Sequence, residues 1–170
     1  MKNTNSPVSN TQMGCGVLLA IFIVVLFVAY CKDEHRNTEL GTTKDPARIA
    51  YLNLDYVDEG TKSSVTKTGD HVTVEFRIDP WTLTGGTARS HFLNSAKGLF
   101  RDYFSRLPDV HRVTIVGTGS FTNIKGNESR GKALEIELTR EAASDIQWDK
   151  VNSDNLPRIA NKFWQHPSFD

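Results

Sequence analysis

The chain is almost without cysteine: Cys15 and Cys31 are the only two in 170 residues, and they bracket one apolar run at opposite ends. They are too far apart along a helix to pair, so no intramolecular disulfide is available and any folded part relies on its core. An excess of charge of either sign is also missing, since 20 Lys and Arg face 20 Asp and Glu. A neutral chain offers no net field to gather a polyanion of high charge density, and no nucleic-acid partner is expected. Metal-ligand spacing is absent among the five histidines, which form neither an HExxH pattern nor a His pair backed by a carboxylate. There is no P-loop, no three-glycine dinucleotide turn and no Gly-x-Ser-x-Gly elbow, and Ser90 and Ser95 fall inside a proposed helix. No cofactor, metal site or catalytic residue is therefore expected.

What is present dominates the N-terminus. From Met13 to Cys31 there is no charged residue, and eleven of these nineteen residues are Val17, Leu18, Leu19, Ile21, Phe22, Ile23, Val24, Val25, Leu26, Phe27 and Val28. Nineteen helical residues span about 28 Å, close to the hydrocarbon thickness of a bilayer. Eleven large apolar residues favour insertion by roughly 3 to 7 kcal/mol. Tyr30 and then Lys32, Asp33, Glu34 and Arg36 mark the return to water. The expectation is a transmembrane helix over 13–31 with the lipid bilayer as its first partner. A cleaved signal peptide fits less well, because cutting after Ala29 puts Phe27 where a small residue is wanted. A lipid-anchored Cys31 is disfavoured by Tyr30 just before it. Counting Lys32, Arg36, Lys44 and Arg48 against Lys2 favours a cytoplasmic domain, yet large C-terminal domains translocate regardless of charge. The short, acid-free N-terminal tail is easily left inside, and an extracytoplasmic domain is the expectation.

The remainder divides into a polar tail (1–12), a flexible stalk (32–47) and one small soluble α/β domain (48–170), within the usual size of a single domain. Ile49 to Val57 reads as a strand and Asp58 to Asp70 as a long loop or ragged hairpin connection. Val72, Val74, Phe76 and Ile78 alternate with polar neighbours, which predicts a strand buried on one face. Thr87 is a candidate N-cap for a helix from Ala88 to Leu107, whose stripe is Phe92, Leu93, Ala96, Leu99, Phe100, Tyr103 and Phe104. Val110 to Val116 and Leu134 to Leu138 read as a pair of hairpin strands around a loop from Asn123 to Lys132. Arg140 to Ile146 reads as a short helix. A last helix capped by Asp154 would carry Leu156, Ile159, Ala160, Phe163 and Trp164 on one face. The fold class is α+β: one transmembrane helix and a two-layer sandwich of three to four strands with helices on one face.

Candidate partner contacts are few. Gly85, Gly86 and Thr87 form a turn at a helix start, where backbone N–H groups face outward, although capping alone accounts for it. Trp81 stands at an element end, as do Trp148 and Trp164, in positions that suit corner packing or an interface anchor. Lys125 and Arg130 sit in a glycine-containing loop that reads as a basic hairpin tip. Asn127-Glu128-Ser129 is a glycosylation sequon, meaningful only in a eukaryotic secretory route.

These features favour a non-enzymatic interaction module anchored in a membrane, with another membrane or envelope protein as its partner. A membrane-tethered hydrolase with a site between Asp79 and His91 is the second reading. The third is a structural homo-oligomer joined through its membrane helix, using the small pair Gly16 and Ala20.

Overall fold

The computed structural model describes residues 11–54, 63–78, 85–122 and 125–167, and the side chains of all of these except 11–20, 24, 27, 85, 86 and 122. The chain divides into two compact units, Met1–Thr42 and Thr43–Asp170.

The first unit contains one long helix, α1 (Thr11–Thr42). It runs on through Lys32 to Thr42, a stretch expected from its composition to be a flexible stalk. Thr38 and Thr42 hydroxyls return to carbonyls of the preceding turn, Glu34 and Thr38 among them, which satisfies acceptors near the helix end. Among the described residues no helix is long and apolar enough to cross a membrane. Of the apolar run, the side chains of Val17, Leu18, Leu19, Val24 and Phe27 lie outside the described residues.

The second unit is α+β, with a five-stranded mixed sheet. Its elements are α2 (Pro46–Leu54), β1 (Ser63–Thr68), β2 (His71–Arg77), α3 (Gly85–Arg106), β3 (Arg112–Thr122), β4 (Glu128–Thr139), α4 (Arg140–Ala143), a 3₁₀ turn (Ser153–Asn155), α5 (Leu156–Ile159) and β5 (Lys162–Gln165). The strand order is β1-β2-β3-β4-β5. Only β2 and β3 are parallel, because α3 carries the chain back between them; the other neighbours are antiparallel.

Three sequence readings are corrected. Ile49 to Leu54 belongs to a helix, not a strand: Asp45 Oδ1 accepts from Ala47 N at 3.0 Å and Pro46 opens the helix, where its missing N–H costs nothing. Part of the expected loop before Asp70 is strand β1, joined to β2 by the two-residue turn Gly69-Asp70. Gly69 has φ 61° and Asp70 does not have positive φ, which is the pattern of a type II′ hairpin turn. The proposed last helix stops at Ile159, and Phe163 and Trp164 belong to β5. Asp154 is not its cap: it lies in the preceding 3₁₀ turn, whose own N-cap is Asn152, with its side chain accepting from Asp154 N, and α5 has Asn155 as N-cap without a side-chain cap bond. The sheet therefore has five strands where three to four were expected.

The core lies on one face of the sheet, under α2 and α3. Val72, Val74 and Phe76 of β2, Val113 and Ile115 of β3, and Leu134, Ile136 and Leu138 of β4 are buried there. They meet Phe92, Leu93, Leu99 and Phe100 of α3 and Ile49 and Leu52 of α2, all buried. The Phe76 and Phe92 rings stack 5.7 Å apart. The helical stripe expected over Ala88 to Leu107 is thus the inner face of α3, which begins at Gly85 and leaves Thr87 inside its first turn, not at the cap. The α2–α3 joint is polar: Asn53 Nδ2 donates to the buried Asp102 carboxylate at 3.0 Å, and the Tyr103 hydroxyl donates to Pro46 O at 2.8 Å. Burial pushes the Tyr103 phenol well above its ordinary pKa, so it stays a donor.

A second polar device closes α3. The Arg140 guanidinium donates to three carbonyls, Phe104 O in the last turn of the helix at 2.8 Å and, past its end, Leu107 O at 2.6 Å and Val110 O at 2.8 Å. It also lies 5.4 Å from the Phe104 ring centroid. Helix ends leave carbonyls unpaired, and a planar fork of donors is well suited to collect several at once.

Both sheet edges are guarded. Strand β5 is only four residues long. On β1, Lys67 stands opposite buried Val72, on the core side of the sheet, and ion-pairs with Asp109. An inward-pointing charge on an edge strand makes strand addition by another chain unfavourable. Lys67→Val is expected to raise the sedimentation coefficient of the full chain in detergent above that of the wild type; an unchanged coefficient would remove this role from Lys67.

Candidate functional site

Among the described residues of the second unit no helix covers the opposite face of the sheet, and strand register sets what lies on it. Trp164 of β5 stands opposite Glu135 of β4, which stands opposite Val116 of β3 and then Glu75 of β2. The next row is Lys162, Glu137, Thr114 and Thr73. A β-bulge at Gly117/Thr118 leaves Ala133 without an opposite residue, so Lys132 faces Thr118 and joins the same surface. Thr118 faces Arg77 in turn. This face is polar except for Val116 and Trp164.

Its densest cluster spans β4 and β5. Glu135 accepts ion-pair contacts from Lys132 and Lys162, and its side chain is only 11% exposed. Those two ammonium groups, Lys132 first, hold the Glu135 carboxylate below its ordinary pKa against the opposing effect of burial. Lys162 is shifted upward by the same contact. The Lys132 ammonium also sits 4.5 Å from the Trp164 ring centroid, a cation–π contact. Trp164 is 36% exposed, and the His166 ring meets it edge-on at 6.2 Å. His166 in turn packs 4.2 Å from Phe121 of β3. The acid of the cluster is thus covered, while the cations and the indole remain at the surface.

A second constellation crosses β2, β3 and β4. His71 Nε2 lies 2.8 Å from Thr114 Oγ1, which lies 3.1 Å from Glu137 Oε2. An ionised carboxylate only accepts, so Thr114 donates to Glu137 and receives the His71 Nε2 proton. The hydroxyl stands between acid and imidazole, the reverse of the acid–imidazole–nucleophile order of a hydrolytic triad. Thr114 is buried as well. The chain of bonds fixes three strands in register and poises no nucleophile. His71 is half-buried within this network.

The sequence-selected contact residues scatter. Arg130 is exposed and shares the open face with Lys132, because both belong to β4 and not to a loop reaching Lys132. Lys125 is exposed in the hairpin turn, where Gly126 takes φ 79°. Gly85, Gly86 and Thr87 are the first residues of α3. Trp81 and the stretch from Asp79 to Thr84 lie outside the described residues, and His91 is exposed on α3. Among the described residues no group of three or more His, Cys, Asp or Glu is placed to hold a metal ion. The sequence reading missed Glu135, Lys162 and Trp164 as one group. Lys162, Phe163, Trp164 and Gln165 carry no period-two pattern, so no local signal marked the strand that presents Lys162 and Trp164 together. No protein-family model matches the chain, and no curated protein or solved structure matches it.

Proposed function

We propose that this chain is a single-pass, membrane-anchored interaction module, in which an apolar helix holds an α+β domain at a bilayer and the domain binds another component of the membrane or envelope without catalysing a reaction. The observation that carries the anchor is the surface of α1. Ile21, Phe22, Ile23, Val25, Leu26 and Val28 are each more than half exposed, and Val24 and Phe27 keep the sequence apolar on the remaining side. A helix that is apolar on every side needs a covering that water does not provide, and the uncharged run from Met13 to Cys31 matches a bilayer in length. The binding role rests on the helix-free sheet face with its exposed cations and indole. The domain is taken to lie on the extracytoplasmic side, as expected from its size and the acid-free N-terminal tail.

Alkaline carbonate extraction tests the anchor. The full chain is expected to stay in the membrane pellet, and a chain lacking residues 13–31 is expected to move to the supernatant. Release of the full chain by carbonate would reject the reading.

A further inference from the structure

We infer that the sheet face around Trp164, Lys132 and Lys162 binds a strand of acidic polysaccharide, whose sugar ring stacks on the indole while its carboxylates meet the two ammonium groups. This rests on the reading of the domain as a binding module. The argument starts from charge. Glu135 is the acid at the centre of the group, and it is almost covered, whereas the side chains of Lys132 and Lys162 are 41% and 57% exposed. Each ammonium carries three donors, so pairing with Glu135 leaves donors directed at solvent. Glu135 thereby fixes both cations in place and spares an incoming anion the cost of ordering two long side chains.

The shape and chemistry of the surroundings select among anions. The Lys132 ammonium lies over the Trp164 ring at 4.5 Å, and the part of the indole left exposed is the apolar surface that the flat face of a pyranose ring complements. Thr73 and Thr118 on the same face add neutral hydroxyls, Thr118 as an acceptor since its own proton goes to Phe76 O, which suits sugar hydroxyls. Arg77 and Lys132 stand on either side of Thr118, two strand spacings or about 10 Å apart at the backbone, close to the length of a disaccharide. The cations are therefore spaced for carboxylates that recur along an extended glycan. A globular protein partner would need an apolar centre, and this face offers only Val116 besides the indole. A nucleic acid carries far denser charge than these cations match, and Glu75 stands exposed among them.

The test uses the full chain in detergent micelles, titrated by calorimetry with an octamer of galacturonic acid. Three comparison ligands are a neutral cello-oligosaccharide of similar length, octaglutamate and a short DNA duplex. Binding of the uronate octamer is expected, with the other three weaker by about tenfold or more. Trp164→Ala and Lys162→Glu are each expected to weaken that binding by about tenfold, and because Lys162→Glu sets a second carboxylate beside Glu135, its urea midpoint is measured alongside so that unfolding is not read as lost binding. No binding of the uronate, equal binding of octaglutamate or DNA, or undiminished affinity in Lys162→Glu would overturn the inference. Failure here leaves the carbonate-extraction result untouched, so loss of the ligand class and loss of the anchored-module reading are separate outcomes.

Discussion

Replacing Arg140 with alanine is expected to lower the unfolding free energy by about 3 kcal/mol, one of the two largest effects in the domain. The guanidinium ties down three carbonyls at the end of α3 and in the turn that follows it, so truncation strips a charged donor from Phe104, Leu107 and Val110 together and leaves Leu107 O only its bond from Val110 N. Bonds from a charged donor contribute more than neutral ones, and half-burial of the site limits replacement by water. Arg140→Lys is expected to recover only a minor part, because an ammonium on a flexible stem does not reproduce a planar fork. Urea titration followed by tryptophan fluorescence reads both changes as shifts in midpoint at constant slope. Coincident midpoints for the wild type and Arg140→Ala would refute the capping role.

Gly117→Ala is expected to cost about 2 to 3 kcal/mol by overpacking. A Cβ at this position would lie 2.4 Å from Ile78 Cδ1 and 2.9 Å from both Ile78 Cγ1 and Phe92 Cδ2. Both neighbours are buried, and the Phe92 ring is stacked on Phe76, so neither retreats freely. Space, not backbone conformation, is the reason for glycine here, which gives the prediction a second handle. Ile78→Ala costs stability alone by leaving a cavity, but combined with Gly117→Ala the losses are expected to fall short of their sum. A strictly additive double mutant would mean that the clash is relieved elsewhere.

The parts legible in the sequence were those where one face is wet and the other dry. Strand β2 and helix α3 declared themselves by period, because Val72, Val74 and Phe76 alternate and Phe92 to Phe104 recur at three and four. The β3–β4 hairpin followed from two apolar runs with a polar loop between them. Helix α2 was misread because the apolar residues from Ile49 to Val57 follow no clean period, although Asp45-Pro46 is a capping signature and Ile49 and Leu52 already stood at helical spacing. Strand β1 was hidden by its own position: an edge strand of Ser, Thr and Lys has little to bury, and Gly69-Asp70 was its one marker. Strand β5 exists because β4 has a second edge to pair, a tertiary requirement that no local period of Phe163 and Trp164 announces. The surface group suffered for the same reason. Lys132, Glu135, Lys162 and Trp164 come together only through β4–β5 register and a bulge, neither of which spacing alone reveals.

The single parallel junction in the sheet has a kinetic consequence. Strands β1 and β2 close through a two-residue turn and β3 and β4 through a short one, so each hairpin forms from local contacts at little entropic cost. The β2–β3 junction is different, since it brings together chain ends separated by the whole of α3. The sheet is thus assembled from two prefabricated halves whose seam is zipped late, when α3 has found its place across them.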